Sequence, residues 1–422
     1  MGVGGGVGTG LGGLGVSAGM GASMGLGVGG GLGASMGLGA GNAAAAAAAP
    51  GYGIGAAAAA AQPVPAGMAQ CPLPANADTV AALSWSPAGG PAELLAAGCW
   101  DGNAHLFRVQ RTPQSVPTGA QLQTSAALGG PVLTSAWVDG THLLLGGGNK
   151  QVMLWDLGSG AQPAALGQHA HAVSGLAWAP AMNLIISGGW DGKLCAWDPR
   201  QARGTPAGTI PLEDRVWCMD LVGNLLVVAL ANKKVLFFDL SKGVHSPFRS
   251  KAFDGPGERS IRAIKCWRDG NGMVASFSTS RVVVRYASEQ HDSKQGTGAN
   301  GLKLGGFSFP CHSEQSKGYA VHDVAMHPTV EAAFATGGAD GKFRIWDRLQ
   351  RRNCTQYMPA GGPINKLGWN ANGDLLALAT GNDWAQGAAS PAHPTRLLLW
   401  QTTQQHLQAS AKQQQGRHGY GR

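Results

Sequence analysis

His169, Ser187, Asp191 and Trp197 bring together an imidazole, a hydroxyl, a carboxylate and an indole N–H in an order that suits a buried hydrogen-bond network. A buried Asp needs donors, and His169 and the amides of the turn Trp190-Asp-Gly-Lys193 would supply them. Gly192 fills the position of that turn that requires φ > 0. Thr336, Asp340 and Trp346 repeat the order further along, with no His at the matching place. His169 and His171, two apart on an expected strand, would share a face and could bind a metal. No third ligand stands at suitable spacing, so no metal site is expected. Gly188-Gly-Trp-Asp-Gly-Lys193 and Gly337-Gly-Ala-Asp-Gly-Lys342 look like phosphate loops, but each lies between two strands where a helix would be needed. They read as hairpin turns. Cys311-His312 and His322-Asp323 form no legible nucleophile–base–acid set. The chain is therefore expected to bind rather than catalyse, with no catalytic residue and no cofactor.

Basic and aromatic residues offer a second kind of chemistry. Residues 78–230 carry 7 basic and 10 acidic side chains, whereas 231–286 carry 11 basic and 4 acidic. Arg281 and Arg285 are expected on one strand pair. Arg348, Arg351 and Arg352 are expected on a connecting loop, and Phe307 and Phe309 in a long excursion. Cations interleaved with aromatics suit phosphate neutralisation and base stacking, so an anionic partner is expected, either nucleic acid or acidic peptide.

The elements that must position these residues come from a repeat. Units open with Val80, Val132, Val173, Val216, Ile261, Val321 and Ile364, and most reach an aromatic or Met about five residues on. They close at Phe107-Arg108, Trp155-Asp156, Trp197-Asp198, Phe238-Asp239, Arg285-Tyr286, Trp346-Asp347 and Trp400-Gln401, at a spacing of about 41 to 61 residues. Short strands, turn residues and no helical periodicity define an all-β chain. Seven four-stranded units define a seven-bladed β-propeller. Met68–Leu73 is expected to add the outer strand of unit seven beside Leu397–Gln401. Units four and five are degenerate.

The expected domains are a disordered Gly/Ala-rich tail over 1–66, the propeller over 67–405 and a flexible basic, Gln-rich tail over 406–422. The head holds 24 of the 68 glycines before residue 68, and residues 1–77 contain no charged side chain or His. Such a segment cannot offset its chain entropy. Seven cysteines without a CxxC spacing argue for a reducing compartment. No secretory signal is expected, nor insertion in a membrane, because the polyalanine runs are too short to span one.

The network residues resemble those of WD repeats, and longer stretches resemble the nuclear mRNA export factor family of seven-bladed propellers at the nuclear pore. They include Phe307-Ser-Phe-Pro-Cys-His312, Tyr319-Ala-Val-His-Asp-Val-Ala-Met-His-Pro328, Gly338-Ala-Asp-Gly-Lys-Phe-Arg-Ile-Trp-Asp347 and Asn382-Asp-Trp-Ala-Gln-Gly387. The resemblance implies a monomeric propeller in a heterocomplex. It would dock a hairpin segment (the GLEBS motif) of a Gly-Leu-Phe-Gly-type nucleoporin, contact RNA or ribonucleoprotein, and shuttle between nucleus and cytoplasm. It places Arg281, Phe309, Trp346, Arg348 and Arg351 on a partner-facing rim, which Arg352 adjoins. A sister family, the mitotic-checkpoint propeller that binds kinetochore proteins, is the nearest alternative. Trp197-Asp198-Pro199-Arg200 also resembles the WDxR box that docks substrate receptors on a cullin ubiquitin ligase adaptor.

Overall fold

In the computed structural model, residues 63–408 are described, apart from 115, 256–257, 300, 384–386 and 388–389. The expected disordered head lies outside these residues except for 63–66, as does the basic tail beyond 408. The packed chain continues past the expected boundary at 405. Leu407 is buried in the core, and His406 lies against the Trp400 ring.

Each opening Val or Ile starts a strand, and each closing aromatic lies in or at the end of another. The innermost strands are Val80–Trp85, Val132–Trp137, Val173–Ala179, Val216–Val222, Ile261–Cys266, Val321–Met326 and Ile364–Trp369. Each leads an antiparallel sheet, and the seven sheets are the blades of a ring. Blades 1 to 5 take their four strands in chain order. Blade 6 has a broken outer strand, Arg352–Asn353 and Met358–Pro359. Blade 7 is completed from the far end of the chain: Met68–Cys71 pairs with Arg396–Gln401, in the register Met68↔Trp400 to Cys71↔Leu397. The expected closure is what the structure shows.

Seven apolar cores hold the ring, each shared by two neighbouring blades. Their geometry explains the opening Val. A Cβ on Gly98 would lie 2.4 Å from the Val132 side chain, and one on Gly188 would lie 2.7 Å from Val216. The second strand of one blade thus leaves room for the first residue of the next, at the density that protein interiors require.

Two faces result. The upper face carries the turns at Asp191 and Asp340 and the links between blades; the lower face carries the other turns. At the seam between blades 7 and 1, the lower rim is locked by Arg111, whose Nε lies 2.8 Å from Glu93 and whose Nη1 lies 2.6 Å from Asp374. Asn370 Nδ2 donates to both carboxylates.

Candidate partner-binding surface

The hydrogen-bond network of blade 3 is complete. His169 Nδ1 lies 3.0 Å from Asp191, its Nε2 lies 2.7 Å from Ser187 Oγ, and Trp197 Nε1 donates to the same oxygen at 2.7 Å. Burial opposes the Asp191 charge, yet the hydrogen bonds from His169 and the Ala170 amide hold its carboxyl below the usual range. The network expected from the sequence is thus present, and its Ser–His–acid geometry is not catalytic in form, because Ser187 is sealed from solvent and its oxygen is occupied. It braces a turn.

Blade 6 corrects an expectation, because it does have its histidine. His312 lies 2.9 Å from Asp340 and 2.8 Å from Thr336, and Trp346 donates to Thr336 at 2.9 Å. The hairpin Ser313–Glu314 and Lys317–Gly318 follows His312 directly and stretches the spacing by six residues, which hid it. His169 and His171 are not on a strand; both lie beyond Ala164–Gln168 in the link to blade 3, with His171 exposed. Among the described residues no His/Cys/Asp/Glu group could hold a metal ion.

A more distinctive construction lies at the upper mouth of the central channel. Every innermost strand has a bulge directly after its opening residue. A bulge re-aims a side chain, and here all seven re-aimed residues line one cavity of about 830 Å³: Ala81, Leu133, Ser174, Trp217, Arg262, His322 and Asn365. Blades 1 to 3 contribute small or neutral groups; blades 4 to 7 contribute an indole and nitrogen donors. Two further indoles come from the slot before the turn Asp. Trp100 and Trp190 are the exposed members, and Trp190 stacks on Trp217 at 6.1 Å with a 9° interplanar angle.

The donors of this mouth are poorly satisfied. Arg262 Nη2 lies 3.3 Å from His322 Nδ1, and among the described residues no carboxylate lies within 4 Å of it. A guanidinium only donates, so Nδ1 accepts and the proton of neutral His322 sits on Nε2. Among the described residues that Nε2 is buried without a partner, as are Asn365 Nδ2 and Thr79 Oγ1. Burial and the Arg262 charge push the His322 pKa down to about 4.

The arginines and aromatics singled out in the sequence do meet, on the outer wall of blades 5 and 6, but with unequal freedom. Phe307 and Phe309 are not in the excursion; they belong to the outermost strand of blade 5, Phe307–Pro310. Phe309 meets Trp346 edge-on at 4.8 Å. Arg281 donates to Ser308 at 2.8 Å, and its buried Nε has no partner among the described residues. Arg344, which the sequence did not single out, stacks on Tyr357 at 3.5 Å, again with a buried Nε unpartnered among the described residues. Arg351 sits 4.2 Å above Phe307 and binds the carbonyls of Lys303, Leu304 and Gly305. Arg352 is exposed. Arg348 is a rim residue only by sequence. It is buried, stacks on Trp267 at 4.1 Å, and is ion-paired to Glu331 and Asp269. In the WDxR stretch Trp197 is core, while Arg200 is exposed and clasps Asp198 through Nε and Nη2 at 2.9 and 2.7 Å.

A ring of seven blades with a donor-rich, indole-edged mouth defines a WD-repeat scaffold for binding other molecules. The WD domain, G-beta repeat family matches residues 161–198 and 306–347. Rae1 of Drosophila melanogaster is 31% identical over 76% of this chain and 90% of its own length. The poly(A)+ RNA export protein of Schizosaccharomyces pombe is 30% identical over 79% and 91%. The mitotic checkpoint protein bub-3 of Caenorhabditis elegans is 30% identical over 68% and 80%. Among solved structures, the WD40 repeats of RRP9 share the fold alone, with a TM-score of 0.61 and 17% identity over 81% of this chain and 99% of that one. The chain belongs to the Rae1-type family of mRNA export factors and is a non-enzymatic propeller.

Proposed function

We propose that the protein is an adaptor in nuclear mRNA export, joining a nucleoporin hairpin segment to RNA or ribonucleoprotein at the nuclear pore. The observation that carries the docking half is the upper mouth. Three indoles offer apolar contact area, while Arg262, His322 and Asn365 hold donors that the fold leaves unspent. Leaving buried donors unpaired is costly, and an acidic or carbonyl-rich segment laid across the mouth would satisfy them. The wall of blades 5 and 6 supports the RNA half. Arg281, Arg351 and Arg352 there lie near the half-buried Phe309, so phosphates and a base have neighbouring partners.

Pull-down from nuclear extract with the full chain, beside an Arg262→Glu/Trp190→Ala variant, tests the docking. Recovery of a nucleoporin by the wild type and its loss in the variant support the proposal. The likeness to bub-3 makes kinetochore proteins the alternative catch, and a cullin adaptor would point to the exposed Asp198–Arg200 turn. Either one, recovered without a nucleoporin, overturns the export assignment. Reversing Arg281, Arg351 and Arg352 to Glu should weaken RNA binding and flatten its salt dependence; an unchanged slope removes RNA from the proposal.

A further inference from the structure

On the lower face, between blades 4 and 5, lies a groove that neither the mouth nor the wall accounts for. Its volume is about 470 Å³, and Val222, Leu225 and Ala287 give it an apolar lining. Phe248 stands at its edge with half its surface exposed, the largest exposure of any large hydrophobic side chain among the described residues. Two cations lie beside it. The Lys242 side chain is 79% exposed, and Arg268 has no carboxylate within 4 Å among the described residues, donating instead to the carbonyl of Pro328.

Two carboxylates also line the groove, and both are engaged. Asp239 accepts from the amide and hydroxyl of Ser241 and lies 3.6 Å from Lys242. Asp269 accepts from the Asn271 amide and lies 3.6 Å from Arg348. The Lys242 and Arg268 side chains reach outward from the groove, while each acid also accepts from its own turn.

An open aromatic face over an apolar slot, flanked by two cations, matches one base of a single strand and the phosphates on either side of it. We propose that this groove is a single-stranded RNA subsite, in which a base stacks on Phe248 and adjacent phosphates meet Lys242 and Arg268. The inference rests on the RNA half of the proposed function and deepens it: the strand contacts the lower rim as well as the wall of blades 5 and 6. Both cations of the groove belong to segment 231–286, which has 11 basic and 4 acidic residues.

The test is fluorescence anisotropy of the full chain with a labelled 15-nucleotide oligouridine, with thermal melting as the check on folding. Phe248→Ala should weaken binding about tenfold, the size of one lost base–aromatic stack, and Phe248→Tyr should restore it. Lys242→Gln/Arg268→Gln should lower the salt slope by about 1.4, near 0.7 for each phosphate contact of a single strand. If these variants bind as the wild type does while the Arg281/Arg351/Arg352 reversal weakens binding, the subsite is overturned and the RNA assignment stands. If the wild type does not bind the oligonucleotide at all, the RNA assignment fails and takes the subsite with it.

Discussion

Arg262 and Arg348 belong to adjacent blades, and each guanidinium is at least half-buried, yet they sit in opposite chemical states. Arg348 rests on Trp267 between Glu331 and Asp269, so its charge is consumed in holding blade 5 to blade 6. Arg262 faces the channel mouth, where its polar contact among the described residues is a neutral histidine. Burial lowers its affinity for a proton, while Asp383 works in the other direction. A cation in a sequence is thus not yet a cation on a surface. What separates the two is whether the neighbouring blade brings a carboxylate within reach.

The contrast can be tested by reading stability and binding together. The largest loss of stability belongs to the spent interior. Asp191→Ala leaves His169 and the Ala170 amide without their acceptor and should cost about 2–3 kcal/mol in urea unfolding, the range for orphaned buried donors. Arg348→Met comes next. It strands Glu331 and Asp269, but Glu331 is half-exposed and rehydrates, so the cost should be about 2 kcal/mol, below that of breaking a fully buried pair. An equal loss on Arg262→Met would break the comparison, because it would mean that Arg262 is also structural.

A smaller effect comes from His322. Its folded pKa, about 4, lies below its ordinary value of 6.5, so the unfolded chain takes up a proton that the native state refuses. Stability should therefore fall as the pH drops from 6.5 towards 4, with a slope of up to one proton. His322→Gln should remove that slope and leave neutral-pH stability within about 1 kcal/mol. The smallest effects on stability belong to the mouth. Trp190→Ala should shift unfolding by less than about 1 kcal/mol and weaken partner binding at least tenfold. Loss of stability with unchanged binding would place Trp190 in the core.

Much of this architecture could be read before folding. The opening Val or Ile and the closing aromatic mark strands because the apolar side chains pack between blades, a demand that recurs in every unit. The closing strand was legible for the same reason: blade 7 lacked a fourth strand, and Met68–Cys71 was spare. His312 was missed because an inserted hairpin broke the spacing. The mouth was missed because its residues share position, not type: Ala81, Leu133, Ser174, Trp217, Arg262, His322 and Asn365 each follow the opening residue. The signal was present, one place after each opening, but a bulge is what turns that place into the channel. Arg348 was misread because Trp267 and Glu331, distant in sequence, decide its surroundings.

The pairing Met68↔Trp400 also sets an order of events in time. The first strand of the ring must wait for nearly the whole chain before its partner exists. During synthesis blades 1 to 6 can assemble in sequence, but the seventh stays open until Gln401 has left the ribosome. Closing so long a loop carries an entropic cost that local strand pairing does not. Until then Met68–Cys71 lacks its pairing strand, and Val80 and Leu95 lack the blade 7 side of their core, Ala377, Ala379, Leu397 and Leu399. The unclosed ring therefore depends on Arg396–Gln401 to complete its seventh blade.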